Sequence, residues 1–290
     1  MTFPSRRMML GAMFATPFAA RAAGRLLPAA SLAALERRIG GRVGVCALDT
    51  GTGARIVYRE TERFVMCSTF KWLLAAAVLQ RAASGGPGLD SSVPIRADAI
   101  VSHSDATKPF VGRSMTLRLL CAAMMATSDN GAANTLMRAI GGPAALTRAV
   151  RTWGDPLTRQ DTYELGPDAR PGDLRNTTTP AQMLADMQHV WLGDALDPAS
   201  RAQLIAWLRS CVVGQHRLRT GVPGQWVEGD RTGTGDPGSI NDLAIFWPSG
   251  VDGKRAPVLV ASFLSGSQHS AVQLETAQGE IGRIVADTFA

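Results

Sequence analysis

Ser68 and Lys71 stand three residues apart in Ser68-Thr-Phe-Lys71, directly before the apolar run Trp72-Leu-Leu-Ala-Ala-Ala-Val-Leu79. The run contains neither Gly nor Pro and is predicted to be a buried helix. A spacing of three puts both side chains on one helix face, about one turn apart. A serine hydroxyl is a weak nucleophile at neutral pH until a base lies within hydrogen-bond reach. A lysine pressed into apolar surroundings can serve, because burial and the positive helix N-terminus both lower its pKa. Ser-x-x-Lys alone arises by chance about once per few hundred residues, so the pair needs company.

That company follows along the chain. Ser128-Asp129-Asn130 sits between two helical patterns, where in most proteins such a triplet is a cap or a turn. Glu164 lies in a long irregular segment, 154–179, where a lone carboxylate is ordinarily a solvated charge. Arg231-Thr-Gly-Thr-Gly235 closes a predicted strand, by itself an ordinary strand-to-turn exit. Chance is a poor account of all four in this order and spacing.

The set resembles the class A serine β-lactamases, whose signatures are Ser-x-x-Lys, Ser-Asp-Asn and Lys-Thr-Gly. The resemblance runs from about Leu32 to the C-terminus. Phe64-Val-Met-Cys-Ser-Thr-Phe-Lys71 and Asn241-Asp-Leu-Ala-Ile-Phe-Trp-Pro248 look like family segments in full. It implies that Ser68 attacks a β-lactam carbonyl and becomes acylated, with Lys71 taking its proton or holding the network that does. It implies an oxyanion hole from the backbone N–H groups of Ser68 and Thr234. Ser128 would relay a proton to the departing ring nitrogen, and Asn130 would hold the substrate's side-chain amide. Glu164 would activate the water that hydrolyses the acyl-enzyme. Thr232, Gly233 and Thr234 would line the substrate site.

The substrates of this family carry a carboxylate beside the lactam. Arg231 stands where the family usually has lysine, keeps the charge and offers a planar fork. Of the two usual positions for a second cation, one holds Ile240; Arg217 matches the other, seen in several carbapenem-hydrolysing members. His103 matches the aromatic wall at the cleft mouth. The family default is a monomer with no metal or organic cofactor. The alternatives are a penicillin-binding DD-peptidase, against which Glu164 in Asp-x-x-Glu-Leu discriminates, and a slow-deacylating β-lactam-binding protein.

The chain departs from the family pattern in two places. The segment from Glu164 to Pro171 is one residue shorter than the commonest form, with no clear counterpart of the asparagine that holds the hydrolytic water. Thr162 and Asn176 replace an Arg–Asp pair that usually ties the loop. These changes imply a looser loop and slow deacylation of some substrates. Cys67 and Cys121 face Gly235 and Ala75 in place of their family partners, so unbridged thiols are expected.

The elements that must position these groups read as strands, helices, strands, helix. Helical periodicity covers 28–39; strands are predicted at 43–48 and 55–59. Helices follow over the Lys71 run, 117–127, 132–140, 143–152, 180–191 and 198–209. Strands return at 226–231, 241–247 and 257–264, and a helix over 269–288 closes the chain. This order predicts an α/β (α+β) architecture in which an all-α domain, 67–209, is inserted into an α/β domain formed by 23–66 and 210–290. A cleft between the two parts is the expected place for a small-molecule site.

The 290 residues, 46% hydrophobic and 19% charged, suffice for a sizeable core. Ser5-Arg6-Arg7, a mildly apolar run and Ala20-Arg21-Ala22 resemble a twin-arginine export signal over residues 1–22, with an ordinary secretory signal as the alternative. The expected location is the periplasm. Of 30 Lys and Arg, three lie in that segment, leaving 27 against 24 acidic residues. Such a balance, without a basic stripe, argues against nucleic-acid binding. Cys46, Cys67, Cys121 and Cys211 fit no zinc spacing, and no apolar stretch has transmembrane length.

Overall fold

The computed structural model describes residues 27–166, 172–236 and 238–289. The export segment expected over residues 1–22 lies outside them. In chain order the elements are α1 (Pro28–Ile39), β1 (Arg42–Asp49), β2 (Arg55–Tyr58), β3 (Phe64–Val65), α2 (Lys71–Ala83), β4 (Ser92–Pro94) and β5 (Ser114–Thr116). Then come α3 (Leu117–Thr127), α4 (Asn130–Ile140), α5 (Pro143–Thr152), β6 (Thr177–Thr178), α6 (Pro180–Met187) and α7 (Pro198–Arg209). The chain closes with β7 (Val227–Gly235), β8 (Ser239–Trp247), β9 (Val258–Ser265) and α8 (Ala271–Phe289).

Five strands form an antiparallel sheet in the order β2-β1-β9-β8-β7. Its strands come from the two ends of the chain; α2 to α7 come from the stretch between. Successive strand residues point to opposite faces, and here both faces are buried. In β9, Val258, Val260 and Leu264 enter a core shared with α1 and α8. Leu259, Ala261 and Phe263 enter the larger core shared with α2, α3, α4 and α6. β8 divides in the same way, with Leu243, Ile245 and Trp247 on one side and Ala244 and Phe246 on the other. Burial on both faces explains why these strands read as nearly continuous apolar runs.

Besides the short strands β3 to β6, which the sequence pattern did not predict, three elements differ from the sequence expectation. The helix predicted over 180–191 is α-helical only to Met187 and continues as a π turn over Gln188–Leu192. The strand predicted to stop at 231 runs on to Gly235, because Thr232, Gly233, Thr234 and Gly235 pair with Asp242, Asn241, Ile240 and Ser239. Its glycines are pairing residues rather than turn residues. Ser68 is not inside the Lys71 helix but in a 3-10 turn, Cys67–Phe70, that feeds it. Among the described residues, no helix is long and apolar enough to cross a membrane.

Candidate active site

The 3-10 turn carrying Ser68 packs beside β7. Two features bring them close. An ideal Cβ on Gly233 would lie 2.7 Å from Met66 O and 3.1 Å from Ser68 N, so only glycine lets the strand approach the Ser68 backbone. Asn241 on β8 donates its side-chain amide to Val65 O at 2.9 Å and Met66 O at 3.1 Å, which pins the segment ahead of Ser68 to the sheet. A cleft of about 540 Å³ opens here, lined by Ser68, Ser128, Asn130, Glu164, Arg217 and Thr234 among others.

Lys71, first residue of α2, has no exposed surface. Its Nζ donates to Ser128 O at 2.8 Å, Ser128 Oγ at 3.1 Å and Asn130 Oδ1 at 2.5 Å. It also lies 3.2 Å from Glu164 Oε1. The same carboxylate oxygen accepts the Ser68 hydroxyl at 3.2 Å. Burial lowers the Lys71 pKa to about 8; Glu164 opposes the shift and the Arg231 charge adds to it.

Ser128 and Asn130 flank a structural aspartate. Ser128 ends α3 in the left-handed conformation, φ 65°. Asp129 caps α4 by accepting Ala132 N at 2.8 Å and takes Thr107 Oγ1 at 2.7 Å and Ala106 N at 2.8 Å. Thus the middle residue of the triplet locks the α3–α4 junction to the 104–107 segment, and its neighbours turn toward Lys71. His103 lines the cleft mouth at φ 55°, and its carbonyl accepts Asn130 N at 2.7 Å. The Asn130 amide also donates to Ser102 O at 2.8 Å.

Asn134, which the sequence reading passed over, holds Glu164 by its backbone. Its Oδ1 accepts Glu164 N at 2.8 Å and its Nδ2 donates to Glu164 O at 2.8 Å. The available signal was its spacing: four residues after Asn130, it shares a face of α4.

Thr162 and Asn176 tie the loop without charge. Asn176 Nδ2 donates to Thr162 Oγ1 at 2.7 Å, and its Oδ1 accepts Asp161 N at 2.8 Å and Thr162 N at 3.3 Å. The expected looseness at this point is therefore met by a hydrogen-bonded clamp. The stretch 167–171, in which the water-holding asparagine has no counterpart, lies outside the described residues.

The two cationic candidates occupy different places. Arg217 is 4% exposed and lines the cleft. It donates to Thr234 Oγ1 at 2.7 Å, Gly233 O at 3.0 Å and Asn241 O at 2.7 Å, with Glu275 3.5 Å from its Nε. Arg231 is fully buried beneath the site and does not line the cleft. Its Nη1 donates to Met125 O at 2.9 Å, and burial depresses its pKa against the pull of Cys211 and Asp230. Thr232, Gly233 and Thr234 are the strand residues that reach the cleft wall.

This geometry has known counterparts. A family model described as the β-lactamase enzyme family matches residues 27–289. The chain is 43% identical over 282 residues to β-lactamase L2 of Stenotrophomonas maltophilia, covering 93% of this chain and 92% of that protein. The chain belongs to the class A β-lactamase family. It is 41% identical to the carbapenem-hydrolysing β-lactamase KPC of Klebsiella oxytoca, over 89% of this chain and 88% of the relative. Among solved structures, an ancestral class A β-lactamase superposes with TM-score 0.87 at 49% identity, covering 91% and 100% of the two chains. A β-lactamase from Xanthomonas campestris gives TM-score 0.86 at 44% identity, covering 91% and 97%. As a member of this family the chain is a hydrolase acting on β-lactams. Among the described residues no disulfide joins Cys46, Cys67, Cys121 or Cys211.

Proposed function

We propose that this class A β-lactamase family member opens the β-lactam amide of penicillins and cephalosporins through an acyl-enzyme on Ser68, conferring resistance. The observation that carries this reading is the shared contact of Glu164 Oε1 with Ser68 Oγ and Lys71 Nζ, each at 3.2 Å. A carboxylate in that position accepts the serine proton as Oγ bonds to the carbonyl carbon. The charged Lys71 holds it there. The developing oxyanion is taken by the N–H groups of Ser68 and Thr234.

As the lactam C–N bond breaks, the ring nitrogen receives the Ser128 hydroxyl proton, which Lys71 replaces across their 3.1 Å hydrogen bond. Glu164 passes the serine proton to the neutral Lys71 across their 3.2 Å contact, which restores the carboxylate. Water then attacks the ester and gives its proton to Glu164, which returns it to the departing Ser68 oxygen across their 3.2 Å hydrogen bond. The substrate carboxylate binds Arg217, Thr232 and Thr234, with the buried Arg231 supplying positive potential from below. Asn130 meets the side-chain amide, and His103 and Gly233 shape the walls. The enzyme acts as a monomer. Twin-arginine export to the periplasm completes this reading, supported by Arg6-Arg7 and Ala20-Arg21-Ala22.

The test is turnover of a chromogenic cephalosporin. Sustained turnover by the unmutated protein is expected, with Glu164→Ala accumulating a covalent adduct visible by mass spectrometry. A stoichiometric burst without turnover in the unmutated protein overturns the reading in favour of a DD-peptidase or a β-lactam-binding protein.

A further inference from the structure

Two buried carboxyl groups outside the catalytic set meet behind the Glu164 loop. Asp155, where the loop begins, has no exposed surface. Its Oδ1 accepts Leu157 N at 2.6 Å and Thr158 N at 2.9 Å. Asp186, on α6 just beyond the loop's end, is 2% exposed. Its Oδ1 accepts the Gln182 amide at 2.9 Å. The two carboxyl groups are neighbours that repel electrostatically, and Oδ2 of each is buried with no hydrogen-bond partner.

Ionised carboxylates only accept hydrogen bonds. Two of them in contact, each with a donorless oxygen, carry both a desolvation penalty and mutual repulsion. A single proton between them removes both. The charge balance agrees. Arg151 of α5 faces the pair, its Nη1 3.8 Å from Asp155 Oδ1, and one guanidinium balances one negative charge. β1 and β9, which pack on α6, contribute apolar side chains there. The titratable group of that layer, Cys46, stays neutral because burial raises its thiol to about 11. His189 and Asp194 of the following turn face each other at the surface.

We infer that Asp155 and Asp186 share one proton, carried on Asp186 Oδ2 and donated to Asp155 Oδ2, and that this bridge is a positioning device for Glu164. The Asp155 carboxyl already accepts two backbone N–H groups while Asp186 accepts one side-chain amide, so the pair's proton is placed on Asp186. The bridge fastens the start of the loop to the helix behind its end. Thr158 Oγ1 and Thr178 Oγ1, 2.7 Å apart, and Arg159 N to Thr177 O at 3.1 Å close the same seam. Burial first, then the Asp155 charge, raises Asp186 to about 9. The catalytic consequence rests on the role proposed for Glu164 above; the shared proton does not.

The unfolded value of an aspartate is about 3.9. From there to about 9 the native state keeps a proton that the unfolded chain has released. Stability from this group therefore falls as pH rises through that window and levels off beyond it. Asp186→Asn keeps a donor toward Asp155 and cannot ionise, so it lacks this slope. Urea unfolding of both proteins at several pH values between 5 and 8 is the experiment. The variant-to-unmutated ratio of folding constants is expected to grow about tenfold per pH unit; a pH-independent ratio overturns the proposal.

If Asp186→Asn does not fold, the assigned carbon-13 carboxyl resonance of Asp186 in the unmutated protein decides. A protonated carboxyl at pH 7 supports the bridge, and an ionised one overturns it. The positioning role has its own readout, the deacylation rate of preformed acyl-enzyme above pH 9. It is expected to fall in the unmutated protein and not in Asp186→Asn; parallel profiles overturn that role. Absence of turnover in both proteins would count against the proposed activity, while the unfolding and carboxyl readouts still judge the shared proton.

Discussion

Lys71 Nζ and Glu164 Oε1 lie 3.2 Å apart, at the meeting of the first turn of α2 with the loop between α5 and β6. The contact sets the Lys71 ammonium against the carboxylate that touches Ser68, so in the proposed mechanism its charge holds that carboxylate in place.

The pH dependence of acylation follows. Burial lowers Lys71 to about 8, so above that pH Glu164 loses its cationic partner. Stopped-flow acylation is expected to slow as pH rises through about 8. An increase to a plateau over the same range would instead make neutral Lys71 the base. The stability term has the opposite sign to that of Asp186. The unfolded lysine keeps its proton to about 10.4, so between the two values this group's contribution to stability rises with pH.

Asn134→Ala leaves the backbone N–H and C=O of Glu164 without their side-chain partner. An unsatisfied buried group costs about 1–3 kcal/mol, and misplacing a catalytic group can cost about 10²-fold in rate. Thermal unfolding should show the first effect and single-turnover deacylation the second. Unchanged deacylation would show that the loop holds Glu164 without Asn134.

Gly235→Cys should form a disulfide with Cys67. A Cβ built on Gly235 lies 3.9 Å from the Cys67 Cβ, close to the separation of about 3.8 Å typical of disulfides. Oxidised protein is expected to gain about 2–4 kcal/mol in unfolding free energy. Denatured thiol titration should give four thiols for the unmutated protein and three for the oxidised variant. A fifth titratable thiol in the variant would disprove the bridge.

Arg217→Ala removes the guanidinium that reaches Thr234 Oγ1 at the cleft wall. A hydrogen bond to a charged group contributes about 1.5–3 kcal/mol, equivalent to about 10- to 100-fold in KM. Steady-state kinetics should show KM rising far more than kcat falls. Equal losses with a substrate analogue lacking the carboxylate would assign Arg217 to holding β7 and β8 through Gly233 O and Asn241 O.

The amino-acid sequence by itself determined the chemistry and the order of elements. Ser68, Lys71, Ser128, Asn130 and Glu164 are legible because the proposed nucleophile, base and relay are specific residue types in a fixed order. The helices and strands are legible because apolar periodicity is local. Only the tertiary structure decided what those groups touch. It put Arg231 under the cleft floor and Arg217 on its wall, and set Asn134 against the backbone of Glu164. Where the sequence reading expected a looser loop, it joined Thr162 to Asn176 in a neutral clamp, and it brought Asp155 and Asp186 together with one oxygen each lacking a donor. In each case the partner lies far along the chain, and burial sets the group's charge or the value of its hydrogen bond. Neither partner nor solvent exposure is encoded in local spacing; both arise when the sheet and the helices close on one another.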